Sequence, residues 1–287
     1  MQNLNYQLKQ LCQRNHDGSY ATRHNRERTL TLIADQLHLL GYRNMGAQSL
    51  KPKHIDALVA CWQAEALAVG TLKNRMTALR WWAEKVNKPS VIAQRNDHYG
   101  IPDRQLVTGT SKARQLGVEA LERVRDTHVR MSLELQRAFG LRREEAIKFQ
   151  PHYADREDHL LLKASWTKGG RARMIPIRTE AQRALLVRAH QLAGRGSLIP
   201  LDRNYRQQLR VYERHTANAG LTRMHGLRHA YAQERYATLT GRVAPAAGGP
   251  PVATLSREER QQDHVVRAQI SRELGHERIQ ILSVYCG

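Results

Sequence analysis

The hydrophobic spacing of this chain changes period only once. Along most of its length, apolar residues recur every three or four positions, the interval that gathers side chains on one face of an α-helix. The clearest case is TLKNRMTALRWWAEKVNKP at 71–89, where Leu72, Met76, Leu79, Ala83 and Val86 form one stripe and Pro89 ends the pattern. ATRHNRERTLTLIADQLHLLGY at 21–42 carries Leu30, Ile33, Leu37 and Leu40 in the same way and stops at Gly41, and LKPKHIDALVACWQAEAL at 50–67 aligns Ile55, Leu58, Val59 and Trp62. The exception is 159–177, where HLLLKASW, TKGG and RARMIPI read as two strands joined by a Gly-Gly turn. The spacing therefore predicts a mainly α fold with a small β-hairpin or sheet.

The same reading divides the chain in two. Residues 1–95 are helical throughout. Residues 96–116 are polar and aperiodic and read as a linker. From 117 onward an α+β domain follows: helices with a break near Gly140, the hairpin, a helix with Ala181, Leu185, Ala189 and Leu192 on one face, two further helices, and a last one carrying Val266, Ile270 and Leu274. Between those last helices, 241–264 joins a Gly/Pro-rich run to SREERQQD and is expected to be a mobile loop inserted in the domain.

Composition narrows the function. Lys and Arg number 46 against 26 Asp and Glu, a formal charge of +20. Such an excess attracts polyanions, and nucleic acid is the first candidate. No apolar run approaches the ~20 residues that span a bilayer, and the first residues lack a signal core. The three cysteines, Cys12, Cys61 and Cys286, are odd in number and show no metal-type spacing, as expected of a reduced, cytoplasmic protein. Lys73, Arg75, Arg80 and Lys85 lie opposite the apolar stripe of 71–89. That basic face is either simply solvated or docks on DNA phosphates.

Four stretches hold residues suited to chemistry: GLRREEA (140–146), TKGGRARMIPI (167–177), HGLRHAYA (225–232) and LGHERIQILSVY (274–285). There is no phosphate-binding Gly-x-x-x-x-Gly-Lys-Ser/Thr loop, and the acidic residues do not group into a two-metal site. His225 and His229 stand four apart, a spacing open to zinc, yet no third ligand accompanies them and no metal is expected. Tyr285 is either an aromatic that pins the last turn or a nucleophile.

Taken together, these stretches resemble the tyrosine recombinase (phage integrase) family, whose order along the chain is Arg, Lys, His-x-x-Arg, His, Tyr. The resemblance covers about 170 residues of the second half, and the helical first half is similar in style to the family's core-binding, DNA-binding domain. It implies a two-domain, site-specific DNA recombinase that cleaves and rejoins duplex DNA through a 3′-phosphotyrosine, without metal, ATP or other cofactor. Arg142 and Arg228 would hold the phosphate, with Glu145 supporting them, and Lys168 would protonate the leaving 5′-oxygen. His225 would help move the tyrosine proton, His276 would orient the phosphate, His229 would support the site, and Tyr285 would attack. Arg171 and Arg173 on the hairpin join the basic helical face as expected DNA contacts. The resemblance further implies a homotetramer on DNA, a monomer or weak oligomer when free, and a bacterial, nucleoid-associated setting. A type IB topoisomerase-like relaxer and a decayed, DNA-binding relative remain as alternatives.

Overall fold

The helical stripes read above become the core of the first of two units. The computed structural model describes residues 3–167 and 169–287 and divides into units Met1–Gln105 and Leu106–Gly287. In the first, α1 (Asn3–Arg14), α2 (Tyr20–Leu39), α3 (Pro52–Ala64) and α4 (Val69–Lys85) pack on one another. Ser19 caps α2 by accepting from the Thr22 amide, and Pro52 opens α3 where no amide hydrogen is needed. Leu30, Ile33, Leu37, Ile55, Leu58, Trp62, Met76, Leu79 and Trp82 are all buried. Both fully buried indoles keep a partner: Trp62 Nε1 donates to Gln36 at 2.8 Å and Trp82 Nε1 to the Ala47 carbonyl at 2.9 Å. Leu40 differs from expectation. The helix stops at Leu39, the chain turns through Gly41 at φ +93°, and Leu40 is left exposed.

The expected linker is shortened at both ends by packing. Asp97–Tyr99 form a 3-10 turn and Ile101 is buried in the first core. Leu116 is buried in the second, and the Arg114 amide donates to the Gly226 carbonyl. Residues 102–110 between them are exposed throughout.

The second unit contains α5 (Val118–Glu122), α6 (Thr127–Phe139), α7 (Arg143–Ile147), α8 (Pro151–Ala154), β1 (His159–Leu162), β2 (Arg173–Pro176), α9 (Glu180–Ala193), α10 (Tyr205–Asn218), α11 (Gly226–Thr240), α12 (Arg257–Glu273) and α13 (Ser283–Cys286). The strands pair antiparallel, with His159 opposite Pro176 and Leu162 opposite Arg173. No tight Gly-Gly turn joins them. Residues 163–172 intervene, with a 3-10 turn at Ala164–Trp166 whose indole packs against Phe149 and Tyr153. On α9 the buried face is Leu185, Leu186 and Ala189, while Ala181 is exposed.

The segment 241–264 also departs from expectation. Ser256 caps α12 in a reciprocal box with Glu259, so SREERQQD is the first half of a helix rather than loop. Upstream, Ala244, Ala246 and Leu255 are buried, and the turn at Pro245–Ala247 packs against α13. The Gly/Pro-rich run thus hides apolar side chains of its own. Helix α11 is central and packs against α6, α12 and α13. Among the described residues no helix is long and apolar enough to cross a membrane.

Candidate functional site

Four helix ends, those of α6 and α12 and the starts of α7 and α11, meet around Arg228. Helix α6 ends at Gly140, at φ +60°, and α7 starts two residues on, with Arg142 as its N-cap. Glu145 folds back from the third position of α7: Oε2 accepts from the Arg142 amide at 2.6 Å and Oε1 from Arg142 Nη1 at 2.8 Å. This capping turn fixes where the Arg142 side chain leaves the backbone.

Arg228 lies in the first turn of α11 and is 1% exposed. Its Nη1 donates to the Gly140 carbonyl at 2.5 Å, and its Nη2 donates to the Leu274 carbonyl at the end of α12. Arg142 Nη2 reaches that same Leu274 carbonyl at 3.3 Å, so one carbonyl ties the two arginines together. Burial, then the neighbouring Arg142 and Arg173, push the Arg228 guanidinium down to about 10, which leaves it charged at neutral pH. Its Nε donates to the Tyr285 hydroxyl at 3.4 Å.

Tyr285 is 5% exposed on α13 and is hemmed in on several sides. Its hydroxyl lies 3.3 Å from Nε2 of His225, the exposed residue that precedes α11. The ring lies 4.4 Å, centroid to centroid, from that of His229 and 5.4 Å from that of His276. Gln233 holds the tyrosine backbone, its Nε2 donating to the Tyr285 carbonyl at 2.8 Å. Positions 225, 229 and 233 are spaced by four, so α11 and the residue at its N-cap supply three neighbours of the tyrosine. His229 and His276 are both held neutral. Burial is the main cause for each, pushing His229 down to about 4 with help from His225 and His276 to about 3 with help from Arg228.

The structure thus brings together Arg142, Glu145, His225, Arg228, His229, His276 and Tyr285. Lys168 lies outside the described residues. The six expected DNA contacts separate. Lys73 pairs with Asp103 at 2.5 Å, the Arg75 guanidinium lies 5.2 Å from the Trp62 ring centroid, and Lys85 lies 6.0 Å from that of Trp81. Arg171 is exposed and pairs with Glu277 at 2.5 Å. The other two are corrected. Arg80 is drawn inward, donating to the Ala93 carbonyl at 3.1 Å and to Asn96 at 2.8 Å, and so braces its own unit. Arg173 is buried and forks onto Glu145, with Nη1 at 2.6 Å from Oε1 and Nη2 at 2.7 Å from Oε2.

The placement of Arg173 had a signal in the sequence. In RARMIPI, strict alternation puts Arg173 on the face of Ile175 and turns Met174 outward, where it is indeed exposed. Glu145, fully buried, is pushed up by desolvation but overcome by Arg173, Arg228 and Arg142, and ends low, at about 2. Three guanidiniums thus face one carboxylate, which leaves two uncompensated positive charges beside a phenol and an imidazole. Such a pocket can bind an anion and hold a nucleophile against it. No group of three or more potential metal ligands occurs among the described residues.

The fold is shared with solved structures. The integrase of the Tn1549 transposon, solved with circular intermediate DNA, superimposes with a TM-score of 0.56 at 15% identity, covering 98% of this chain and 95% of that one. A lambda integrase tetramer bound to a Holliday junction gives 0.60 at 14% identity, over 95% and 74%. The XerH site-specific recombinase, in a post-cleavage complex with a palindromic difH substrate, gives 0.58 at 17% identity, over 99% and 81%. At these identities the likeness speaks for the fold. No curated protein matches the sequence. Family models do: residues 1–89 match the phage integrase N-terminal model, and residues 107–234, which span Arg142 to Arg228, match the integrase model. The chain belongs to the tyrosine recombinase (phage integrase) family.

Proposed function

We propose that this chain is a site-specific DNA recombinase that cuts and rejoins duplex DNA through a covalent 3′-phosphotyrosine on Tyr285. The observation that supports it most is the Tyr285 hydroxyl, 3.3 Å from His225 Nε2 and 3.4 Å from Arg228 Nε within one chain. In this reading Arg142 and Arg228 take the non-bridging oxygens of the scissile phosphate and stabilise the charge of the five-coordinate transition state. The Tyr285 oxygen bonds to phosphorus as the bond to the 5′-oxygen breaks. The phenol proton passes to His225 Nε2, and Lys168 protonates the departing 5′-oxygen, the role implied by the family resemblance. His276, being neutral, offers the phosphate a hydrogen bond rather than a charge, and His229 holds the phenol ring from the side. The phosphotyrosine conserves the energy of the broken linkage. A 5′-hydroxyl can therefore reverse the step on the same or another strand without ATP.

Duplex DNA is the proposed partner. The surplus of +20 supplies sequence-independent phosphate affinity, and Lys73, Arg75, Lys85 and Arg171 are proposed contacts. The unit Met1–Gln105 would act as the core-binding domain and the unit Leu106–Gly287 as the catalytic one. Four protomers on two sites would form the working assembly, in the manner of the lambda tetramer.

The test is a covalent one. A nicked suicide duplex, taken from a pool with randomised cores, should yield a protein–DNA adduct on a denaturing gel, and Tyr285→Phe should yield none. Binding without an adduct would indicate a decayed DNA-binding relative. Relaxation of arbitrary supercoiled plasmid without site preference would indicate a topoisomerase.

A further inference from the structure

The most heavily partnered carboxylate of the site is held from a strand to which no role in the chemistry has been given. Glu145 has two oxygens and four donors: the Arg142 amide and Nη1 from its own turn, and Arg173 Nη1 and Nη2 from β2. Four hydrogen bonds in two directions leave the carboxylate no rotation. Arg142 by contrast is partly exposed, and beyond Glu145 its side chain donates to the Leu274 carbonyl at a longer 3.3 Å. The orientation of Arg142 thus depends on that of Glu145.

Arg173 is not placed to take a phosphate itself. Both Nη atoms fork onto the Glu145 carboxylate, which takes up its charge, whereas the Nη atoms of Arg228 donate to neutral carbonyls and leave its charge unpaired. The Arg173 stem also lies against Gly275, where a Cβ would come within 2.8 Å of Arg173 Cδ and where φ is +66°, so both space and backbone favour glycine. One arginine therefore bears both on the carboxylate that seats Arg142 and on the turn whose carbonyl accepts from Arg142 and Arg228.

We infer that Arg173 is a positioning residue: it clamps Glu145 so that Glu145 fixes Arg142, and in doing so it ties the strand that follows Lys168 to the arginine pair. The inference rests on the recombinase reading above. Without the clamp, Glu145 loses half its donors and turns fully onto Arg142, neutralising the charge the phosphate needs and drawing it back from the pocket.

The experiment measures single-turnover adduct formation and duplex affinity for the full-length chain on a pool of nicked duplexes with randomised cores. The variants are Arg173→Met, Arg173→Lys, Glu145→Gln and the Arg173→Met/Glu145→Gln pair. Arg173→Met should slow the adduct ~10–100-fold, as misplacement of a catalytic group does, with duplex affinity within about threefold of wild type. Arg173→Lys should recover part of the rate, since one ammonium restores the charge but not the fork. In the Glu145→Gln background, Arg173→Met should cost less than about threefold more, because the two residues act in series. The inference is overturned by an unchanged rate, by affinity falling as far as rate, or by effects that multiply in the pair. If circular dichroism shows Arg173→Met unfolded, Arg173→Lys alone and paired with Glu145→Gln carries the same comparison. A wild-type chain that forms no adduct overturns the recombinase reading and the inference with it, whereas a normal wild-type adduct with an indifferent Arg173 overturns the inference alone.

Discussion

Arg228 donates to the carbonyl of Gly140 at 2.5 Å, so the residue that ends α6 also seats the buried arginine. Gly140 is held at φ +60°, and a Cβ at that position would lie 2.5 Å from Cδ1 of Tyr231. Backbone strain and overpacking therefore act at the same point.

Gly140→Ala should lower stability by roughly 2–4 kcal/mol, combining the cost of a left-handed alanine with that of forcing a side chain into a filled space. Gly169→Ala is the control: its φ is +93° but no atom lies within 4 Å of the added carbon, so it should lose only about 1 kcal/mol. Urea unfolding of the two variants checks the contrast, and equal losses would mean that the Tyr231 contact gives way freely.

Acid should weaken the fold in two stages. An imidazole in the unfolded chain gains its proton near pH 6.5, while burial holds His229 to about 4 and His276 to about 3. Between those values the unfolded chain binds protons that the folded chain refuses, so stability falls as pH drops below about 6.5. Glu145, held to about 2, adds a second loss below about pH 4.3, the ordinary glutamate value, because its charged form is the one the folded state favours. His229→Phe keeps a ring beside Tyr285 without titrating. It should flatten the first stage by up to about 3 kcal/mol, read from unfolding midpoints between pH 8 and 4. An unaltered slope would assign the loss to other groups.

Gly249 reports on the turn that backs the tyrosine helix. Its amide donates to the Ala244 carbonyl, and an added Cβ would fall 1.8 Å from the Val243 carbonyl oxygen. Because Gly287 also lies against Pro245 and Ala246, opening this turn should free α13. Gly249→Ala is expected to speed tryptic cleavage after Arg242 and to slow adduct formation, with affinity for DNA little changed. Protection equal to wild type would show that the turn can be remade around the methyl group.

The sequence alone fixed the helical character of both units, because a stripe such as Leu72, Met76, Leu79, Ala83 and Val86 can be buried on one side only by a helix. It also marked Arg142, His225, Arg228, His276 and Tyr285 as a set, through the resemblance of their order along the chain to that of the tyrosine recombinases. It did not tell what a basic residue would pair with, even at Arg173, where strand alternation turned the side chain to the buried face. Arg80 and Arg173 read as two more basic residues until packing turned the first onto Ala93 and Asn96 and the second onto Glu145. Nor could it show that 241–255 is held by Ala244, Ala246 and Leu255, since a few small apolar residues among glycines and prolines carry no period. Local spacing encodes the face a side chain takes on its own element. What that face meets is decided by other elements, near or far along the chain, as when Leu274 accepts from Arg142 across a separation of 132, and only the folded chain contains that information.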